Sequence, residues 1–144
     1  MTNKIDAVLE HLAVENQHDM GAMLATLDSD NPIRDEVAGK YYQGKDEVAG
    51  RYAELWIAFP NFNVFPRRFI EQDESVVMIA DYSGTHQGVY RGVAGTGKSF
   101  NVRIVNAIDF TGDKILRETI YMDLNSQLRQ LGLQHTIQLT GDKS

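Results

Sequence analysis

GVAGTGKSFNVRIVNAIDF, residues 92–110, satisfies every fixed position of the phosphate-loop pattern G-x-x-x-x-G-K-[ST] and then runs straight into an alternating stretch. A phosphate loop needs a helix to begin at its Lys-Ser, so that backbone N–H groups and the helix dipole face the phosphate. After Lys98 and Ser99, however, Phe100, Val102, Ile104, Ile108 and Phe110 alternate with mostly polar neighbours, which is the period of a strand. Upstream, the apolar part of VVMIADYSGTH (76–86) ends well before Gly92, and QGVYRG intervenes. The stretch therefore reads as a glycine-rich connection between two antiparallel strands, with no bound nucleotide.

The flanking chain supports a mixed fold. Ile5, Val8, Leu9 and Leu12 recur at helical spacing, and Met20, Met23, Leu24 and Leu27 repeat the pattern after a polar break. PIRDEVAGKYYQG (32–44) reads as irregular and turn-rich. Val48, Tyr52, Leu55, Trp56 and Phe59 mark one face of a third helix, ended by Pro60. From Phe62 the period becomes that of strands: FNVFPRRFIEQ (62–72), ESVVMIADYSGTH (74–86), SFNVRIVNAIDF (99–110) and KILRETIYMD (114–123). DLNSQLRQLG (123–132) is the last helix, with Gly132 at its C-terminal cap. Helices followed by a meander of long strands predict an α+β domain, its helices packed on one face of a curved antiparallel sheet.

Composition narrows the function classes. With 144 residues, 42% hydrophobic and 24% charged, the chain fits one globular domain spanning 1–144. No run approaches the roughly 18 apolar residues of a membrane span, and MTNKIDAVLEHL lacks the apolar stretch of a secretory signal, so a cytoplasmic protein without a membrane partner is expected. Zero cysteines exclude disulfides and thiol catalysis. A net charge of −6 without a dense basic run opposes nucleic acid as a partner. His11, His18, His86 and His135 have no metal-ligand spacing; they read as scattered surface residues, and no metal is expected.

Four short motifs, AFPNF (58–62), GTHQG (84–88), GVAGTGKS (92–99) and GDKILRETIYMDLNSQLRQLG (112–132), occur in this order. In that order they resemble the SnoaL-like polyketide cyclases of the nuclear-transport-factor-2-like superfamily. There a helix ends in F-P-[DN], a strand ends in G-T-H-x-G, a G-x-x-x-T-G-[KR] hairpin follows, and the chain closes on D-x-x-x-x-L-x-Q-L-G. The resemblance covers about residues 5–133 and leaves 134–144 as a C-terminal tail. It implies a cone-shaped α+β barrel, helices on the concave face of the sheet, a pocket between them, and a homodimer through the outer sheet face. It also implies a cofactor-free acid–base enzyme, a polyketide cyclase or a ketosteroid-isomerase-like proton-transfer catalyst, acting on a small apolar carbonyl compound. The alternative is a non-catalytic small-molecule-binding protein of the same fold.

Pairing the last two strands through a tight turn at TGDK sets Phe110 opposite Ile115 and Asn106 opposite Thr119. Asn106, Thr119, Tyr121 and Asp123 then share an otherwise apolar pocket face. Val105, Ile120 and Met122 fall on the other face, as dimer contacts. Asp123 matches the family's D-x-x-x-x-L-x-Q-L-G aspartate, which in the cyclases acts as acid–base; alternatively it caps the terminal helix. His86 is a second catalytic candidate, able to donate to a carbonyl or relay a proton, or else to bond loop backbone. Tyr82 joins Tyr121 as a pocket tyrosine, and Trp56 is core or pocket wall. The family's cyclases carry a histidine on the penultimate strand, where this chain has only Asn106 and Asp109. That substitution remains compatible with enolisation, in which one carboxylate moves a proton and neutral donors hold the oxyanion.

Overall fold

The computed structural model describes residues 3–28, 32–37 and 39–134. Residues 135–144 lie outside the described residues, and with them His135 and nearly all of the C-terminal tail. Helix α1 (Lys4–Asn16) begins at Asn3, whose side chain accepts from the Asp6 N–H, and α2 (Met20–Ala25) begins at Asp19 in the same way. Two short strands follow, β1 (Pro32–Asp35) and β2 (Lys40–Gln43), then α3 (Gly44–Ala58). Four long strands, β3 (Asn63–Gln72), β4 (Ser75–Thr85), β5 (Ser99–Thr111) and β6 (Lys114–Met122), lead into α4 (Leu124–Leu131). Gly132, at φ 76°, closes α4 in the left-handed conformation that glycine adopts without strain.

The six strands form one sheet in the order β2-β1-β6-β5-β4-β3. β3 to β6 are an antiparallel meander, and β1 adds to β6 in parallel. The stretch expected to be irregular, 32–44, therefore contains two strands. Four residues are too few to show a period, and β1 forms because it pairs on both sides, with Ile33 fully buried. The inner face of the sheet carries Val64, Met78, Tyr82, Val102, Ile104 and Ile108 into a core shared with Val8 and Leu12 of α1 and Val48 and Tyr52 of α3. This is the curved antiparallel sheet covered by helices that the sequence predicts.

Residues 86–98 connect β4 to β5, and β5 starts at Ser99, so a strand follows the glycine-rich stretch where a phosphate loop would need a helix. Gly95 is required by close approach: a Cβ there would stand 2.3 Å from the Gln87 carbonyl oxygen. Lys98 reaches the end of α4, where a Cβ on Gly132 would meet its Nζ at 2.8 Å. There its charge complements the helix dipole.

One irregularity changes the pocket. Phe110 pairs with Ile115 as the tight turn predicts, but Asp109 pairs with Arg117, leaving Leu116 as a bulge residue. Beyond it the register is shifted by one, and Asn106 faces Ile120 rather than Thr119. Every β6 side chain past the bulge changes sheet face.

Candidate functional site

The bulge turns Glu118, Ile120 and Met122 inward and Thr119 and Tyr121 outward, the reverse of the sequence-based assignment. Ile120 and Met122 line the space between sheet and helices and so make no outer dimer contact. Tyr121 is 49% exposed and pairs with Val105 on the outer face. The inner space, mouth included, measures about 730 Å³. Its walls are largely apolar, from Leu12, Leu55, Phe62, Val64, Met78 and Ile104, and Asn106 and Tyr82 line it too.

The polar floor comes from α1, α3, β5 and β6. His11 and Glu15 lie one helical turn apart on the same stripe of α1 as Val8 and Leu12, and all four are buried. The Thr26 hydroxyl donates to the Met23 carbonyl at 2.6 Å, so its oxygen accepts from His11 Nδ1–H, also at 2.6 Å. This leaves His11 Nε2 facing Glu15 Oε1 at 3.0 Å and Glu118 Oε1 at 3.8 Å. The Glu15 oxygen is near enough but off the line of the ring N–H, and the Glu118 oxygen is beyond hydrogen-bond reach, so these are ion contacts rather than straight hydrogen bonds. Burial opposes charge on the His11 ring, but Glu15 and Glu118 outweigh it and hold the pKa above the ordinary 6.5.

Glu118, 1% exposed, accepts from Asn106 Nδ2 at 3.1 Å through Oε1. Its Oε2 and the Asn106 Oδ1 are buried and have no hydrogen-bond partner in the protein. Such orphaned polar atoms cost stability, and a fold retains them where they serve something else. Tyr52 donates to Glu15; burial, then the Glu118 and Glu15 charges, push its hydroxyl well above the ordinary 10.0, so it stays a neutral donor. The site thus offers an unpartnered carboxyl oxygen, an imidazole whose charged form the neighbouring acids favour, and the side chains of Tyr52 and Tyr82 within an apolar chamber.

The other sequence-derived candidates lie elsewhere. Asp123 caps α4, accepting from the Ser126 N–H at 3.1 Å and Ser126 Oγ at 2.7 Å. It is exposed, and those hydrogen bonds pull its carboxyl below the ordinary 3.8. His86 is fully buried but bonded to the connection on both ring nitrogens: Nδ1 accepts from the Thr96 N–H and Nε2 donates to the Val93 carbonyl, each at 3.2 Å. Trp56 stacks on His18, ring centroids 4.7 Å apart, and packs against Tyr52 rather than lining the cavity. His11 and His86 are therefore interior residues, not the surface histidines that the sequence suggested. The sequence-based reading missed His11, Glu15, Tyr52 and Glu118. The first two left a signal, because ionisable residues at positions 11 and 15 share the stripe of positions 8 and 12 and must be buried with it.

A curved sheet with helices closing its concave side over a buried polar floor defines the ketosteroid-isomerase-like or nuclear-transport-factor-2-like class. Residues 5–131 match the family model for SnoaL-like polyketide cyclases, and the chain belongs to that family. Among solved structures it is similar to IdmH from Streptomyces antibioticus, a candidate polyketide cyclase, with 18% identity over 91% of this chain and 99% of that one and a TM-score of 0.80. A protein of ketosteroid isomerase-like fold from Catenulispora acidiphila, solved with trimethylamine, matches at 19% identity over 95% and 97% of the two chains, TM-score 0.79. TerC, co-crystallised with polyporic acid, matches at 17% identity over 90% and 98%, TM-score 0.74. At these identities the likeness is one of fold. No curated protein matches the sequence significantly. No helix among the described residues is long and apolar enough to cross a membrane.

Proposed function

We propose that this SnoaL-like protein is a cofactor-free acid–base catalyst that moves a proton next to the carbonyl of a small apolar substrate, in a cyclisation or a ketosteroid-isomerase-like isomerisation. The observation that carries this reading is the unpartnered Oε2 of buried Glu118 on the cavity floor. Glu118 takes the proton through that oxygen, Asn106 orients its other oxygen, and His11 beside it offsets the charge. The neutral donor beside Glu118 for an enolate oxygen is the second N–H of the Asn106 amide, with Tyr82 lining the same wall of the chamber. Asp123 and His86, proposed from sequence as catalytic, are given no step in this scheme. In a panel of enones and polyketide-like ketones, Glu118→Gln should lower kcat by about 10²–10⁴-fold. A cooperative thermal melt of the same variant checks that it still folds after losing the charge beside His11. Full turnover by Glu118→Gln would contradict the scheme, whereas tight ligand binding without turnover by the wild type would support the small-molecule-binding alternative.

A homodimer through the outer sheet face is part of the same reading. With Ile120 and Met122 inside, the outer apolar row is Val77, Ile79, Val105 and Ala107, paired across β4 and β5 and flanked by exposed Ile70 and Tyr121. An antiparallel sheet that is apolar on both faces needs cover on both, and helices cover only the inner one.

A further inference from the structure

Outside the chamber lies a cleft lined by Lys40, Tyr42, Arg51, Glu54, Tyr90 and Arg91 among others. Arg51, Leu55, Tyr90 and Arg91 line both spaces, so one ligand can extend from the cleft to the polar floor. In a chain of net charge −6, three cations converge here, and among the described residues Glu54 is the one acid on the cleft wall. Each cation rests near an aromatic face: Lys40 5.8 Å from the Tyr42 ring centroid, Arg51 5.8 Å from Tyr42 and 5.3 Å from Tyr52, Arg91 5.5 Å from Tyr90. Stacking of this kind holds the Arg91 guanidinium in place without consuming its N–H donors.

Arg91 is placed there by its backbone. Tyr90 and Val93 exchange two backbone hydrogen bonds of 2.9 Å around Arg91 and Gly92, whose φ values are 50° and 80°. This is a two-residue hairpin turn with both central residues left-handed, a geometry that Asn, Asp or Gly adopts more readily than Arg at its first position. The turn is anchored by the Tyr90 hydroxyl, which donates to Gln127 Oε1 at 2.8 Å. Arg91 makes no ion pair with any acid among the described residues. A strained backbone that presents an arginine to a cavity mouth is a reason to look for its anion.

We propose that the outer cleft binds a carboxylate of the substrate between Arg91 and Lys40 while the apolar, carbonyl-bearing body enters the chamber. The inference rests on the proton-transfer reading above and narrows its substrate class from apolar ketones to apolar keto acids. The probes are acetylbenzoate and acetylnaphthoate, each compared with its methyl ester by isothermal titration of the intact protein. At least one acid should bind about tenfold more tightly than its ester, the scale of a charge-assisted pair of hydrogen bonds. The preference should shrink with added salt. Arg91→Gln, an exposed substitution, should bring acid and ester close to equal. Failure of every acid to outbind its ester, or a preference that survives in both Arg91→Gln and Lys40→Gln, would overturn the subsite. Glu118→Gln should leave the preference intact, so the binding readout judges the cleft and the turnover readout judges the chamber, each independently of the other.

Discussion

At the scale of single residues, the division of labour between Glu118 and Asp123 follows from their surroundings. Asp123 spends its oxygens on Ser126 and the start of α4, in water, and its depressed pKa makes it a poor proton acceptor near neutrality. Glu118 keeps one oxygen unspent in an apolar chamber. Sequence motifs exposed the capping aspartate, because caps are local, whereas Glu118 reads as an ordinary strand residue until its face is known. His11 supplies a pH test. Its pKa is raised in the folded state by Glu15 and Glu118, the groups that face it from α1 and β6, while the neutral Thr26 hydroxyl holds its other ring nitrogen. The stabilisation it provides is therefore complete below the ordinary 6.5 and is lost as the pH rises through the native pKa. Thermal melts across that range should show stability falling with pH in the wild type, and the slope should flatten in His11→Asn. A titration of the His11 ring by nuclear magnetic resonance with a midpoint below 6.5 would contradict this.

At the scale of elements, four helices and the long meander were legible because each is long enough to display its period. Strands β1 and β2 were not, since four residues derive their structure from neighbours. The decisive loss was the Leu116 bulge, one residue that leaves the alternation of β6 apparently normal and still exchanges its faces. Side-chain parity cannot be carried past an unseen bulge, and for that reason Asn106 was assigned correctly to the inner face but Thr119 and Tyr121 were not. Packing of α1 on the sheet depends on Asn16, whose Nδ2 donates to the Val64 carbonyl and whose Oδ1 accepts from the Val64 N–H, both at 2.9 Å. Asn16→Ala strips both partners from a part-buried peptide group and should cost about 1–3 kcal/mol in denaturant titration. A loss below the error of that titration would show that water replaces the amide.

At the scale of the whole molecule, the outer row of Val77, Ile79, Val105 and Ala107 makes the proposed dimer testable at a position that leaves the chamber intact. Val105→Glu should place an uncompensated charge in the contact and convert a dimer to a monomer in sedimentation; a wild type that sediments as a monomer at micromolar concentration would remove the dimer. Ile120→Glu is unsuitable for this purpose, because Ile120 lines the cavity. The family and the fold were both legible from the order of four motifs, since turn glycines and capping residues are local necessities of the barrel. The site was only partly legible, because its groups come from four elements that meet only once the chain is folded. The claim that those groups form a proton-transfer centre is tested most directly by deuterium exchange next to the carbonyl of a bound ketone in heavy water. Wild type and Asp123→Asn should catalyse exchange at similar rates, while Glu118→Gln should be slower by about 10²–10⁴-fold. Exchange retained in Glu118→Gln and lost in Asp123→Asn would contradict the account.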